Sequence, residues 1–209
     1  MFPWRLLLVS ALLSLAASQK IRQCTCAEVQ PCKAHPSNLF VPCVESCKGH
    51  LTALGADYKR LQQCLVTRQA QFENTVKCTE ASLANTCAAR PGPLVDKRYP
   101  ETLKLAAFTE LNKMIQASGA KNQLKQVLAS GKKVYDCVRT CLDKQVTSCL
   151  QKLKCGLALP PDSALVQTAK RCAIQSGLNS AGVQQLCDCA ASAGIKQLQG
   201  NICNKIVIS

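Results

Sequence analysis

The sequence predicts an all-α fold, a small helical bundle or paired helical modules cross-linked by multiple disulfides. Three observations carry this expectation. There are 16 cysteines in 209 residues, apolar residues recur at steps of three and four along every long patterned run, and the alternation of a half-buried strand is almost absent.

The chain opens with MFPWRLLLVSALLSLAASQK, where Arg5 precedes an apolar run from Leu6 to Leu15 and small residues follow at Ala16, Ala17 and Ser18. That is the form of a secretory signal peptide over residues 1–18, cleaved before Gln19. The apolar run is short for a bilayer and no later stretch is longer, so the protein is expected to be secreted and not transmembrane. Secretion puts every cysteine in an oxidising compartment, and their even number then implies eight disulfides. Zinc is a poor rival, because the mature chain has only His35 and His50 and no two cysteines stand at CxxC spacing. The missing CxxC also removes the thiol oxidoreductase signature. The sulfurs read as staples, and no metal or cofactor is expected.

The cysteines fall into two groups of eight: Cys24, Cys26, Cys32, Cys43, Cys47, Cys64, Cys78 and Cys87, then Cys137, Cys141, Cys149, Cys155, Cys172, Cys187, Cys189 and Cys203. Between them lie 49 residues with none. Each group could close internally in 105 ways, and the sequence neither chooses among them nor excludes bridges between groups. The proline-rich RPGPLVDKRYP, within this gap, suggests a boundary between an N-terminal module over residues 19–90 and a C-terminal one over 91–209, free to pack as one domain.

Within the first module Cys43, Cys47, Leu51, Leu54, Tyr58, Leu61 and Leu65 trace one continuous helical face, introduced by Pro42. A less regular helix is expected from about Ala70 to Cys87. After the proline-rich break, Leu103, Ala107, Leu111, Met114 and Ile115 keep helical spacing up to Ser118 and Gly119. A short segment around Leu124, Val127 and Leu128 precedes Gly131. Then YDCVRTCLDKQVTSCLQKLKC sets Val134, Cys137, Cys141 and Cys149 in one seam of a helix that GLALPP stops. Two further helices are signalled by Asp162 or Ser163 with Gly177 beyond the end, and by Ser180 with Gly194. The tail NICNKIVIS shows no clear pattern. CVESC at 43–47 and CVRTC at 137–141 hint at duplication, although two helical cysteine pairs would look the same.

The interior cannot lean on aromatic rings. Trp4 departs with the signal segment, leaving Phe40, Tyr58, Phe72, Tyr99, Phe108 and Tyr135. Leucine, valine, alanine and half-cystine must fill the core.

Catalytic patterns are missing. Neither His35 nor His50 neighbours a carboxylate in a recognisable arrangement, and there is no His-Asp dipeptide, G-x-S-x-G or H-E-x-x-H. The chain reads as a non-enzyme. Its charge is more telling: without the signal segment 25 basic residues face 12 acidic ones. Between Lys104 and Lys154 ten basic residues meet three acidic ones, a local excess of +7. Lys121, Lys125, Lys132, Lys133, Arg139, Lys144, Lys152 and Lys154 are the candidate contacts for extracellular polyanions such as glycosaminoglycans, or for acidic matrix proteins. The charges come as singles and pairs rather than as a dense block, so a solvated face is the competing reading. Nucleic acid is not an expected partner. Ser118-Gly119, Ser130-Gly131 and Ser176-Gly177 are formal glycosaminoglycan attachment dipeptides without acidic neighbours, and Gly119 and Gly177 read better as helix stops.

The succession YDCVRTC, CGLALPPDSALVQTAKRCAIQSG, VQQLCDCAASAG and NIC resembles the cysteine-rich secreted domain of the nematode chondroitin proteoglycan 4-like family, chiefly over residues 131–209. The resemblance implies an extracellular, non-catalytic matrix protein. The sequence therefore points to a secreted, non-catalytic helical protein of the extracellular space or matrix, with glycosaminoglycans or other polyanions as candidate ligands; the alternative is a carrier of small apolar ligands or lipids, saposin-like in role though not in cysteine spacing.

Overall fold

The computed structural model describes residues 19–33, 37–119, 121–144 and 152–208. The expected signal peptide, His35 and Cys149 lie outside the described residues, as do the side chains of Lys121 and Phe40. The fold is all-α, as the sequence predicts. In chain order the α-helices are α1 Cys26–Val29, α2 Ser37–Ser46, α3 Lys48–Thr52, α4 Tyr58–Val66, α5 Gln69–Ser82, α6 Pro100–Ala117, α7 Lys121–Leu142, α8 Asp162–Gln175 and α9 Ser180–Ser192. Among the described residues no helix is long and apolar enough to cross a membrane.

The proline-rich segment does more than break helices. Leu94–Asp96 (β2) pairs antiparallel with Lys20–Arg22 (β1), Ile21 opposite Val95, and Lys20 meets Asp96 at 2.7 Å. The backbone continues this stitching: the Cys24 amide donates to the Gly156 carbonyl at 2.8 Å and the Cys26 amide to that of Ala88 at 2.9 Å. The N-terminal segment thus bonds to backbone on both sides of the proline-rich stretch.

The expected single helix over residues 43–65 is instead α2, α3 and α4. Its apolar spacing is real, but Gly55 adopts a φ of +88°, and Asp57 restarts the chain as an N-cap that accepts from the Arg60 amide at 3.2 Å. Gly55 also abuts Gly194 (φ +108°), where an added Cβ would lie 2.6 Å from the Gly55 carbonyl oxygen. Beside them the Asp57 amide donates to the Ala193 carbonyl at 2.7 Å, so two turns from opposite ends of the chain pack backbone to backbone.

A second difference runs the other way. The segment before Gly131 and the cysteine seam after it form one 22-residue helix, α7. An interior glycine disfavours helix by about 1 kcal/mol. Burial of Leu124 on one side of Gly131 and Val138 on the other outweighs it. The cap of α9 is Asn179 rather than Ser180; its side chain accepts from the Gly182 amide at 3.0 Å.

Five of the seven described bridges join the two cysteine groups: Cys24–Cys155, Cys43–Cys141, Cys47–Cys137, Cys64–Cys189 and Cys78–Cys172. Cys26–Cys87 and Cys187–Cys203 close within a group, and Cys32 is also disulfide-bonded. The largest fully buried side chains are Cys24, Cys43, Cys47, Cys172 and Cys203, so half-cystines stand where aromatic rings would otherwise sit. Ala56 and Leu61 share one core cluster with Leu124, Ala190, Ile195 and Leu198. A smaller cluster joins Val44 and its two cysteines to Val138 of α7.

Candidate functional site

α6 presents Phe108, Leu111, Met114, Ile115 and Ser118 on one face, and α7 presents Leu124, Val127, Leu128, Gly131 and Tyr135. Both sets follow the three-and-four step of a helical stripe. The stripes do not close on each other. Between them, with Val183 and Cys187 of α9, Leu198, and Ile206 and Ile208 of the tail, they leave a cavity of about 450 Å³. Among the described residues Ser118 and Tyr135 bring the only side-chain hydroxyls to its wall, and the Ser118 hydroxyl, at the C-cap of α6, donates to the Ile115 carbonyl at 2.7 Å.

The tail is strapped over this cavity. The Cys187–Cys203 bridge anchors it, Gln184 Nε2 donates to the Ile206 carbonyl at 2.9 Å, and the Ile208 amide donates to the Ser180 hydroxyl at 2.9 Å. Opposite, Gly131 and Tyr135 are exposed and mark the mouth. Phe108 and Tyr135 meet there edge to face, centroids 5.6 Å apart, and the Lys132 ammonium sits 5.3 Å from the Phe108 ring centre. Sequence reading missed this site. Leu124, Val127 and Leu128 read as a short segment, and the tail's apolar residues stood without a partner.

The basic candidates do not form one surface. At 3.6 residues per turn, Lys125 and Lys132 share a stripe beside the cavity-lining face of α7. Lys133 is rotated about 100° from Lys132. With Lys144 it faces a different neighbour, α3, where both line a shallow concavity with Ser46, His50, Asp136 and Thr140 over the Cys47–Cys137 and Cys43–Cys141 bridges. Lys152, on a short helical stretch, and Lys154, on the turn that follows it, are exposed ahead of Cys155.

Arg139 is taken up internally, pairing with Glu101 at 2.6 Å and Asp143 at 3.4 Å. The acids of the basic region are likewise engaged. Asp136 meets Lys104 at 2.5 Å, and Glu110 meets Lys170 at 2.8 Å across α6 and α8. The Lys170 ammonium holds the Glu110 carboxyl below the usual carboxylate range.

Among the described residues no three His, Cys, Asp or Glu side chains converge as a metal site. Comparison of the chain with protein-family models, with curated proteins and with solved structures finds no match.

Proposed function

We propose that the protein is a secreted, non-catalytic carrier of small apolar ligands. The observation that carries this reading is the cavity of about 450 Å³ between α6, α7, α9 and the tail, walled almost wholly by carbon. Its size falls in the range of small-molecule sites, about 300–1,000 Å³. An apolar cavity of this kind excludes water and takes apolar guests. Disulfides between the helices favour binding by holding the site open before the ligand arrives, which lowers the ordering cost. The extracellular compartment accords with the disulfide density and with the resemblance to the chondroitin proteoglycan 4-like domain.

A fluorescence titration of the oxidised chain with the neutral probe N-phenyl-1-naphthylamine tests the reading. One saturable site per chain is expected, and Val127→Phe, which projects a ring into the cavity, weakens it. Absence of saturable binding by a chain with its bridges intact would refute the carrier role.

A second reading, glycosaminoglycan binding, rests on the concavity that brings Lys133, Lys144 and His50 together. Its polyanion would lie on the side of α7 away from the cavity, so the two readings are independent.

A further inference from the structure

We propose that the ligand is a single-chain anionic amphiphile, its hydrocarbon tail in the cavity and its acid group at Lys132; this rests on the carrier reading above. Among the described residues the depth of the cavity wall carries one side-chain hydroxyl, Ser118, and its proton is committed to the Ile115 carbonyl. A buried polar head would therefore lose its water without compensation. A ligand's polar group belongs at the mouth.

What waits at the mouth is a cation. Lys132 is exposed, and its ammonium lies over Phe108, a ring of the cavity wall. The carboxylates that might neutralise it are committed elsewhere: Glu101 and Asp143 to Arg139, Asp136 to Lys104, Glu110 to Lys170. Lys125, also exposed, borders the same face two turns earlier along α7. The site thus pairs a dry apolar interior with uncompensated positive charge at its rim. That combination selects an acid with one alkyl chain over a neutral hydrocarbon or an alcohol.

Displacement of N-phenyl-1-naphthylamine from the full oxidised chain by laurate and by 1-dodecanol tests this. Laurate is expected to bind about 3- to 5-fold tighter, as suits an ion pair at a solvent-exposed rim. The advantage should shrink in about 0.5 M salt. Lys132→Gln should erase it while leaving dodecanol unchanged, and Lys133→Gln, on another face of α7, should preserve it. Lengthening the acid should tighten binding about 4-fold per methylene until the chain outgrows the cavity. Equal binding of laurate and dodecanol, or a Lys132→Gln effect on both alike, overturns the proposal while the carrier reading stands. Failure of the probe itself to bind removes both.

Discussion

Cys187 and Cys203 form the shortest-range of the described bridges, 16 residues apart, and Cys187 also lines the cavity that the bridged tail covers. Stability and binding should separate at this pair. In the chain-entropy account a loop of this length contributes about 3 kcal/mol, whereas one above 100 residues contributes nearly 5. The Cys64–Cys189 bridge, with a separation of 125, is of the second kind. Replacing Cys187 and Cys203 together by alanine is therefore expected to lower the urea midpoint less than replacing Cys64 and Cys189. The order for apolar-probe affinity should be reversed, because only the first pair frees the strap. Equal probe binding by the two double variants would mean that the tail does not close the cavity.

Gly131 gives a prediction of opposite sign. It sits inside α7 with nothing within 4 Å of where a Cβ would stand. Gly131→Ala should stabilise the protein by about 0.5–1 kcal/mol. For a chain of this size that is a rise of about 1–4 °C in Tm. Differential scanning calorimetry checks it, and a fall in Tm would show that the backbone at this position is not the unstrained helix described.

The division of lysines between faces of α7 bears on polyanions. Arg139 is committed to Glu101 and Asp143, and Lys132, about 100° round α7 from Lys133, does not line the Lys133 and Lys144 concavity. Heparin retention is thus expected to depend mainly on one cluster. Lys133→Gln with Lys144→Gln should advance elution to lower salt by more than Lys125→Gln with Lys132→Gln, although each pair removes the same charge. Equal shifts on a salt-gradient column would indicate that net charge alone governs retention.

The helical class was legible because apolar steps of three and four survive any arrangement of the helices. Cys137 and Cys141 were legible as a seam, and they bond to Cys47 and Cys43 respectively. Periodicity could not show that Gly55 and Asp57 would split a continuous stripe, since a turn leaves the apolar spacing intact. Nor could it show that Gly131 would be absorbed into a helix, which the burial of Leu124 and Val138 decides. The cavity was out of reach for a related reason. Phe108, Val127 and Ile208 are ordinary core residues in sequence, and only the separation of α6 from α7 leaves space among them. Counting charges likewise placed Arg139 among free cations, because Glu101, the nearer in space of its two partners, lies 38 positions away.

The N-terminal stitching supplies a pH dependence. Glu28 receives the Arg22 guanidinium at 2.9 Å, the Thr25 amide at 2.8 Å and the Thr25 hydroxyl at 2.9 Å. The Arg22 contact, then those from Thr25, hold its carboxyl down at about 2, against an ordinary value of about 4.3. A carboxyl depressed in the folded state stabilises the fold above its unfolded value, and that contribution disappears as pH falls through the folded value. The native chain should therefore lose Tm progressively between about pH 5 and pH 2. Glu28→Gln should be the less stable at pH 7 and decline less over the same interval, so that the two melting curves converge near pH 2. Because Glu28 and Arg22 are partly open to solvent, the gap should also narrow in high salt. Parallel Tm profiles for the two chains, followed by circular dichroism from pH 7 to 2, would show that this cluster contributes nothing to folding.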